Sequence, residues 1–401
     1  MIPLFRKIKL LFTSEGGFPV MHIMHIITSL YPGGAQSALC RLCMNDTNNK
    51  HTIVAMIGGG ELEVRLIDQG IVVETLGFTR QGGLFKGFLA LWRLLRSYRP
   101  DIVQTWMYHP DLIGGLCARL AGVRHVCWGI RHTALEPGKS SRSSMLIARL
   151  CASLSGLVPT RIVCCAHKAA RVHESLGYRS DKLVVIPNGY DLSDFYPYVE
   201  DKNERQKFLC DSEQLLPILG MVGRFNAQKD HENLLRALAD LKSRGVGFLC
   251  LLVGADLDAD NRMLSICIEE LGLQQDVKLL GLRSDIPAVM NVLDLHILSS
   301  SFGEAFPNVI AEAMACGTPC VGTDVGDTSV IIDKWGWVVP PRDSKQLADA
   351  IYEAIKERET SPSLWAQRRQ SSVEHIRTHF TIDRMVTAFD DLWSDCMEAR
   401  K

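Results

Sequence analysis

The sequence predicts an α/β protein made of two doubly wound, Rossmann-like domains that face a central cleft. Three observations predict it. Short apolar runs alternate along the chain with segments of helical period, the pattern of βα units on a mostly parallel sheet. Several of these runs are apolar throughout, as strands covered on both faces are. The rhythm also breaks near residue 190 and resumes beyond a polar stretch, and 401 residues are too many for one ordinary core.

In chain order, the first series of strand candidates is HIMHIITSL from His22, HTIVAMIG, IVVETLGF, DIVQTW, RHVCWGI and RIVCCA. Helical spacing fills Leu84–Tyr98 and Asp111–Ala121. KLVVIPNGYDLSDFYPY then ends a strand and turns at Pro187-Asn188-Gly189, and the polar run VEDKNERQKFLCDSEQ follows. The second series reads PILGMVGRF, FLCLLVG, VKLLGL, LHILSS, PCVGTDV and GWVVPP. From Ser361 the chain is helical by period, with Phe380, Met385, Phe389 and Trp393 placed to pack back across the hinge. The expected division is an N-terminal extension over 1–20, a first domain over 21–190, a second over 191–380 and a C-terminal helix over 381–401.

Composition excludes several classes. Forty-four Lys and Arg against 45 Asp and Glu give a net charge of −1, which is not that of a nucleic-acid binder. Thirteen Cys without zinc-ligand spacing read as buried reduced thiols of a cytosolic protein. No apolar run is long enough to span a bilayer. The first twenty residues carry Arg6, Lys7 and Lys9 among a few aliphatics, too interrupted for a good signal peptide. They read as a floppy extension, with a membrane-surface foot as the alternative. LFKGFLALWRLLRSYRP has Lys86, Arg93, Arg96 and Arg99 among Phe, Leu and Trp. It is either a sheet-covering helix with a solvated basic side or a helix that rests on an anionic membrane.

Ligands of open α/β sheets bind beyond the carboxyl ends of the strands, so the residues there are the candidates. The first strand leads into Gly33 and Gly34, which open a helix and let backbone approach a phosphate. The spacing is not that of a dinucleotide fingerprint. The second series begins with a strand ending in Gly223-Arg224-Phe225-Asn226-Ala227-Gln228-Lys229-Asp230. Arg224 and Lys229 place two cations there, where a departing diphosphate would gain charge. After LHILSS come Glu304, Phe306, Pro307, Asn308, Val309 and Glu312. Pro307 suits a helix start, and the free N–H groups of Asn308 and Val309 would point toward phosphate. A carboxylate accepts two hydroxyl protons at once, as vicinal sugar diols require.

The run SFGEAFPNVIAEAMACGTPCVGTDVGD strongly resembles the donor-site signature of glycosyltransferase family 4, retaining enzymes of the GT-B fold. GRFNAQKD, IPNGYDLSDFYP, GWVVPPRD and the early Gly-Gly turn extend the likeness over nearly the whole chain from about residue 21. The resemblance implies a diphosphate held by Arg224 and Lys229, and a donor sugar and phosphate held by Glu304 with the backbone of Phe306 to Val309. It implies that Glu312 takes the ribose hydroxyls, Gly34 the phosphate or sugar, and the backbone at Arg283 the base. His132 of GIRHT matches a His that touches the donor sugar, and His109 of WMYHPD faces the same cleft. Retention without metal or other cofactor is implied, with the nucleotide-diphosphate sugar, most often uridine-linked, as substrate. The acceptor would be a lipid-linked or cell-surface glycan, reached by a cytoplasmic enzyme that docks on the inner face of the membrane. Asp256, Asp258 and Asp260 resemble a D-x-D metal motif, but they follow LLVG, where the family carries an acidic loop without metal. A nucleotide-sugar epimerase, a phosphorylase-like enzyme or a non-catalytic nucleotide-sugar-binding protein of the same fold are the alternatives.

Overall fold

The computed structural model describes residues 20–78, 83–133, 142–198 and 216–398. All but Val20 of the expected N-terminal extension, and the whole polar run 199–214, lie outside the described residues.

Two parallel sheets form. The first contains β1 (His22–Ile27), β2 (Lys50–Ala55), β3 (Val72–Thr75), β4 (Ile102–Trp106), β5 (His125–Ile130), β6 (Arg161–Cys164) and β7 (Leu183–Val185), in the order β3-β2-β1-β4-β5-β6-β7. The second contains β8 (Ile218–Val222), β9 (Leu249–Val253), β10 (Val277–Leu279), β11 (Leu295–Leu298), β12 (Cys320–Thr323) and β13 (Trp337–Val339), in the order β10-β9-β8-β11-β12-β13. Each expected apolar run supplies one strand. The runs lack alternation because each sheet has a core on both faces. In β1, Met24 and Ile26 enter one cluster while Ile23 and Ile27 enter another. In β8, Leu219 and Met221 face one core and Ile218 and Val222 the other.

Strand order reverses between β1 and β4 and again between β8 and β11. The chain leaves such a pair of strands toward opposite faces, which opens a crevice at their carboxyl ends. The loops after β8 and β11 carry Lys229 and Glu304, and the segments that follow β1 and β4 carry Gly33, Gly34 and His109.

The C-terminal residues join the domains. Helix Pro362–His379 packs on helix Asn308–Ala315 of the second domain. The chain then crosses beside the linker: the Tyr190 N–H donates to the Phe380 carbonyl and the Ile382 N–H to the Tyr190 carbonyl, both at 2.9 Å. The crossing is tight, since a Cβ on Gly189 would stand 2.6 Å from the Thr381 carbonyl oxygen. Helix Ile382–Glu398 ends in the first domain, where Met385, Phe389, Leu392 and Trp393 join the cluster of Ile23, Ile27 and Trp106.

A buried polar chain lies under this helix. The Trp106 indole donates to His25 Nδ1 at 3.2 Å, His25 Nε2 meets His51 Nδ1 at 2.9 Å, and His51 Nε2 meets Asp46 Oδ2 at 3.0 Å. An indole nitrogen only donates, so both imidazoles hold their proton on Nε2 and every bond is satisfied with neutral rings. Burial above all holds His25 well below the usual histidine value. Among the described residues no helix is long and apolar enough to cross a membrane, and each described cysteine is free.

Trp393 is fully buried where the last helix meets the first domain. Trp393→Ala should lower unfolding free energy by about 3–5 kcal/mol, read from urea denaturation. A loss below about 1 kcal/mol would mean that the helix does not depend on this contact.

Candidate active site

The site begins with the loop after β8. Lys229 takes an Asx-type bond, its N–H donating to Asn226 Oδ1 at 3.0 Å. Asp230 then caps helix His231–Ser243 in a left-handed conformation (φ 51°), accepting from the Asn233 N–H. Two serines leaving β11 lock this loop in place. Ser299 Oγ donates to the carbonyls of Lys229 and Asp230, the Ser301 N–H donates to the Gln228 carbonyl at 2.8 Å, and Ser301 Oγ donates to that of Ala227.

Ser300 Oγ donates to Glu304 Oε1 at 2.8 Å, and Lys229 Nζ donates to the same oxygen at 2.7 Å. Both charged side chains are nearly buried, at 14% and 10% exposure. Burial alone would raise the Glu304 carboxyl. The Lys229 charge and hydrogen bond, with those of Ser300 and Gln228, outweigh it and hold the group below the ordinary glutamate value. Glu304 is therefore an anion with fixed orientation. It sits on the second domain's switch point, with one cation against it.

Pro307 forms the N-cap of helix Asn308–Ala315, so no N–H is lost, and the first N–H groups of the helix have no partner within it. Phe306 is buried against Tyr190 and Phe380. Glu312 is half-buried in this helix. Burial raises its carboxyl, against the opposing charges of Arg41 and Lys229. Gly34, which starts helix Gly34–Asn45 of the first domain, comes so close that a Cβ on it would stand 3.3 Å from Asn308 Nδ2. Gly33 is the extended N-cap before it.

His132 follows β5 and is exposed in the cleft. The walls of both domains still remove enough water to lower its pKa; the Glu304 charge opposes this and the Arg224 charge adds to it. His132, Glu304 and Arg224 therefore share one electrostatic neighbourhood, with the His neutral at pH 7. Arg224 itself is exposed. The neighbour of His132, Thr133, donates its hydroxyl to the Glu304 carbonyl.

The remaining expected residues are placed as follows. His109 is exposed in the first turn of helix Tyr108–Leu120, which starts earlier than the spacing predicts because Met107 (φ 74°) turns the chain and accepts from the Asp111 N–H. Among the described residues no hydrogen bond, ion pair or ring contact joins His109 to the other site residues. Arg283 directs its side chain to Asp285 at 2.8 Å. Asp256, Asp258 and Asp260 lie in an exposed turn: Asp258 accepts from the Asp260 N–H, and Asn261 donates to the Asp256 carbonyl and caps helix Arg262–Glu270.

Sequence reasoning missed the residues that hold the site across the domains. Asp327 of the second domain caps helix His167–Ser175 of the first, accepting from the N–H groups of His167 and Lys168 at 2.6 and 2.9 Å. Asn188 and Tyr190 of the linker both donate to Asn308 Oδ1. Ser299 to Ser301 were legible as a small polar run after a strand, and Asp327 stands within the donor signature. Nothing local marks Thr133, Asn188 or Tyr190 as a partner of the other domain.

Two facing doubly wound domains, with a fixed carboxylate, cations and a helix N-terminus at one switch point and a histidine opposite, define a sugar-transferring enzyme of the GT-B architecture. The chain belongs to glycosyltransferase family 4: residues 32–194 match the family model described as Glycosyltransferase Family 4, and residues 201–370 that described as Glycosyl transferases group 1. It is similar to the Escherichia coli UDP-Gal:alpha-D-GlcNAc-diphosphoundecaprenol alpha-1,3-galactosyltransferase, 25% identical over 315 residues, 77% of this chain and 79% of that one. It is also similar to the Campylobacter jejuni N,N'-diacetylbacillosaminyl-diphospho-undecaprenol alpha-1,3-N-acetylgalactosaminyltransferase, 23% identical over 339 residues, 82% of this chain and 88% of that one. Its fold is that of Anabaena Alr3699/HepE, solved in complex with UDP, with a TM-score of 0.81, 21% identity, and 94% of this chain and 100% of that chain covered.

Lys229→Ala removes the partner of a buried carboxylate. Transfer should fall by ~10²–10³-fold, and the Glu304 carboxyl should rise, because its burial is then opposed only by the hydrogen bonds of Ser300 and Gln228. In the unaltered protein the folded-state value is depressed. The pair's stabilisation is therefore present above pH 4.5 and lost as pH falls through the depressed value. Thermal melts of both proteins between pH 3 and pH 7 check this; superimposable pH profiles would show that the pair is not coupled.

Proposed function

We propose that the protein transfers a hexose or N-acetylhexosamine, with retention of configuration and without a metal, from a uridine-diphosphate sugar to a lipid-linked glycan. The observation that carries this reading is the Lys229–Glu304 pair at the second domain's switch point, facing His132 across the cleft. Glu304 and the start of helix Asn308–Ala315 bind sugar hydroxyls and phosphate, Glu312 the ribose diol, and the backbone at Arg283 the base. Arg224 and Lys229 neutralise the departing diphosphate, the work a metal does in other transferases. Glu304, tied to Lys229, orients the donor rather than attacking it. The acceptor hydroxyl enters on the face the diphosphate leaves, and the leaving phosphate oxygen takes its proton. His132 is neutral at working pH and donates or accepts a hydrogen bond at the sugar. Rate enhancement then comes from orientation and from stabilisation of leaving-group charge. The names of the two relatives, both acting on undecaprenyl-diphosphate-linked sugars, support a lipid-linked acceptor in polysaccharide assembly, and the UDP complex of the solved neighbour supports the carrier.

A lipid-linked acceptor requires access to a membrane, and one face of the first domain fits that need. Helices Gly83–Tyr98, Tyr108–Leu120 and Arg142–Leu154 pack side by side. They expose Phe85, Leu120, Leu146 and Leu150, with Leu157 just beyond. Lys86, Arg93, Arg96, Arg142 and Arg149 are exposed among them, and the first and third helices contain no Asp or Glu. A basic, apolar face of this kind rests on an anionic bilayer, here the cytoplasmic side of the cell membrane.

Incubation with a panel of nucleotide sugars and a chelator, with and without membrane extract, should release UDP from one donor, faster with extract. Strict dependence on added divalent metal would overturn metal independence. Product analysis by NMR should show retained anomeric configuration. Sedimentation with phosphatidylglycerol vesicles should capture the protein, and Arg93→Glu/Arg149→Glu should abolish capture. Equal recovery on phosphatidylcholine vesicles would argue against an electrostatic membrane face.

A further inference from the structure

Asn308 opens the donor helix, and its amide oxygen is doubly occupied. Asn188 Nδ2 donates to it at 2.9 Å and Tyr190 Oη at 2.6 Å. Both donors belong to the linker between the domains. The amide nitrogen of Asn308 turns the other way, toward Gly34, and among the described residues no acceptor takes its two protons.

The sense of this arrangement is set further back. Arg131, at the end of β5, donates from Nη1 to Asn188 Oδ1 at 2.8 Å. A guanidinium cannot accept, so Asn188 must present oxygen to Arg131 and NH₂ to Asn308. Asn308 must then present oxygen to Asn188 and NH₂ to the cleft. Reversing either amide would set donor against donor. Arg131 itself is buried, with its guanidinium 4.3 Å from the ring centre of Trp106, and Asn188 is also buried. Tyr190 is fully buried between Arg41, 4.8 Å from its ring centre, and Phe306. The chain Arg131–Asn188–Asn308 therefore runs in one direction, from the first domain to the donor helix.

We infer that Asn188, oriented by Arg131 and assisted by Tyr190, is a positioning residue that fixes the Asn308 amide so that its NH₂ group meets an anionic oxygen of the bound donor beside Gly34. This rests on the proposed donor site, and adds to it that the first domain and the linker decide which end of Asn308 the donor meets. With the amide reversed, a carbonyl oxygen would face phosphate and repel it. Since the relay crosses both domains, the donor contact is complete only when the domains stand as they do here.

Asn188→Asp tests the inference because it is nearly isosteric. The carboxylate still accepts from Arg131, as an ion pair, but has no proton for Asn308. The melting temperature should therefore stay at or above that of the unaltered protein. UDP and GDP are titrated calorimetrically, and the tighter binder is used throughout. Asn308→Ala should weaken binding by about tenfold or more, the loss of a hydrogen bond to a charged group. Asn188→Asp should weaken it by a similar factor, and the double variant no further than the weaker of the two singles. Tyr190→Phe, which removes only a hydroxyl, should give a smaller loss that also vanishes on the Asn308→Ala background, and it serves should Asn188→Asp not fold. If neither nucleotide binds the unaltered protein, or Asn308→Ala binds normally, the donor-site reading fails and the inference with it. If Asn308→Ala weakens binding while Asn188→Asp and Tyr190→Phe bind normally, or their losses multiply with that of Asn308→Ala, only the positioning role is overturned.

Discussion

A carboxylate and an ammonium removed from water must find each other, and the ion pair between Lys229 and Glu304 is the constraint around which the second domain is arranged. Neither group is tolerable alone where it stands, since an unpaired buried charge costs several kcal/mol. The two residues lie 75 positions apart in sequence, on loops that leave neighbouring strands β8 and β11 at the point where strand order reverses. Holding them together fixes both loops. The serines that leave β11 complete the job by hydrogen-bonding to the backbone and side chain of those loops. Fixed charges need no reorganisation when a leaving group gains negative charge, which is the property a transferase site requires.

The first domain supplies constraint as much as chemistry. Thr133 holds the carbonyl of Glu304, Asp327 reaches back to cap a first-domain helix, and Asn188 and Tyr190 hold the side chain of Asn308. All three contacts meet the candidate site rather than the periphery. The linker and the C-terminal crossing lie side by side at Tyr190, joined by backbone hydrogen bonds, and the last helix is buried in the first domain. Two strands of chain thus define one hinge, and a change in domain angle would act first on the residues of the candidate site.

The elements were legible because burial on both faces of a parallel sheet leaves an unambiguous signal. A run such as FLCLLVG can be nothing polar-faced, and β9 is buried along its length. Glu304, Pro307 and Glu312 were legible because a helix start and a carboxylate pair have local signatures. The start of the helix after β4 was less so, since it depends on the left-handed turn at Met107, a conformation that no residue type there announces. Arg131 and His132 show the same limit within two positions. The histidine was singled out, while the arginine beside it, buried and directed to the linker, gave no local sign of its partner.

The sequence by itself determined the two-domain architecture, the identity of the strands and the kinds of group that stand at their ends. These follow from periodicity and local chemistry, which are properties of contiguous residues. Tertiary structure alone decided which charges are paired, that Glu304 is held as an anion despite its burial, that His132 faces it from the other domain, and which way the amide of Asn308 points. Each of these depends on distances between residues far apart in the chain, and on hydrogen bonds whose direction is set by a donor-only partner. Spacing along a sequence carries neither.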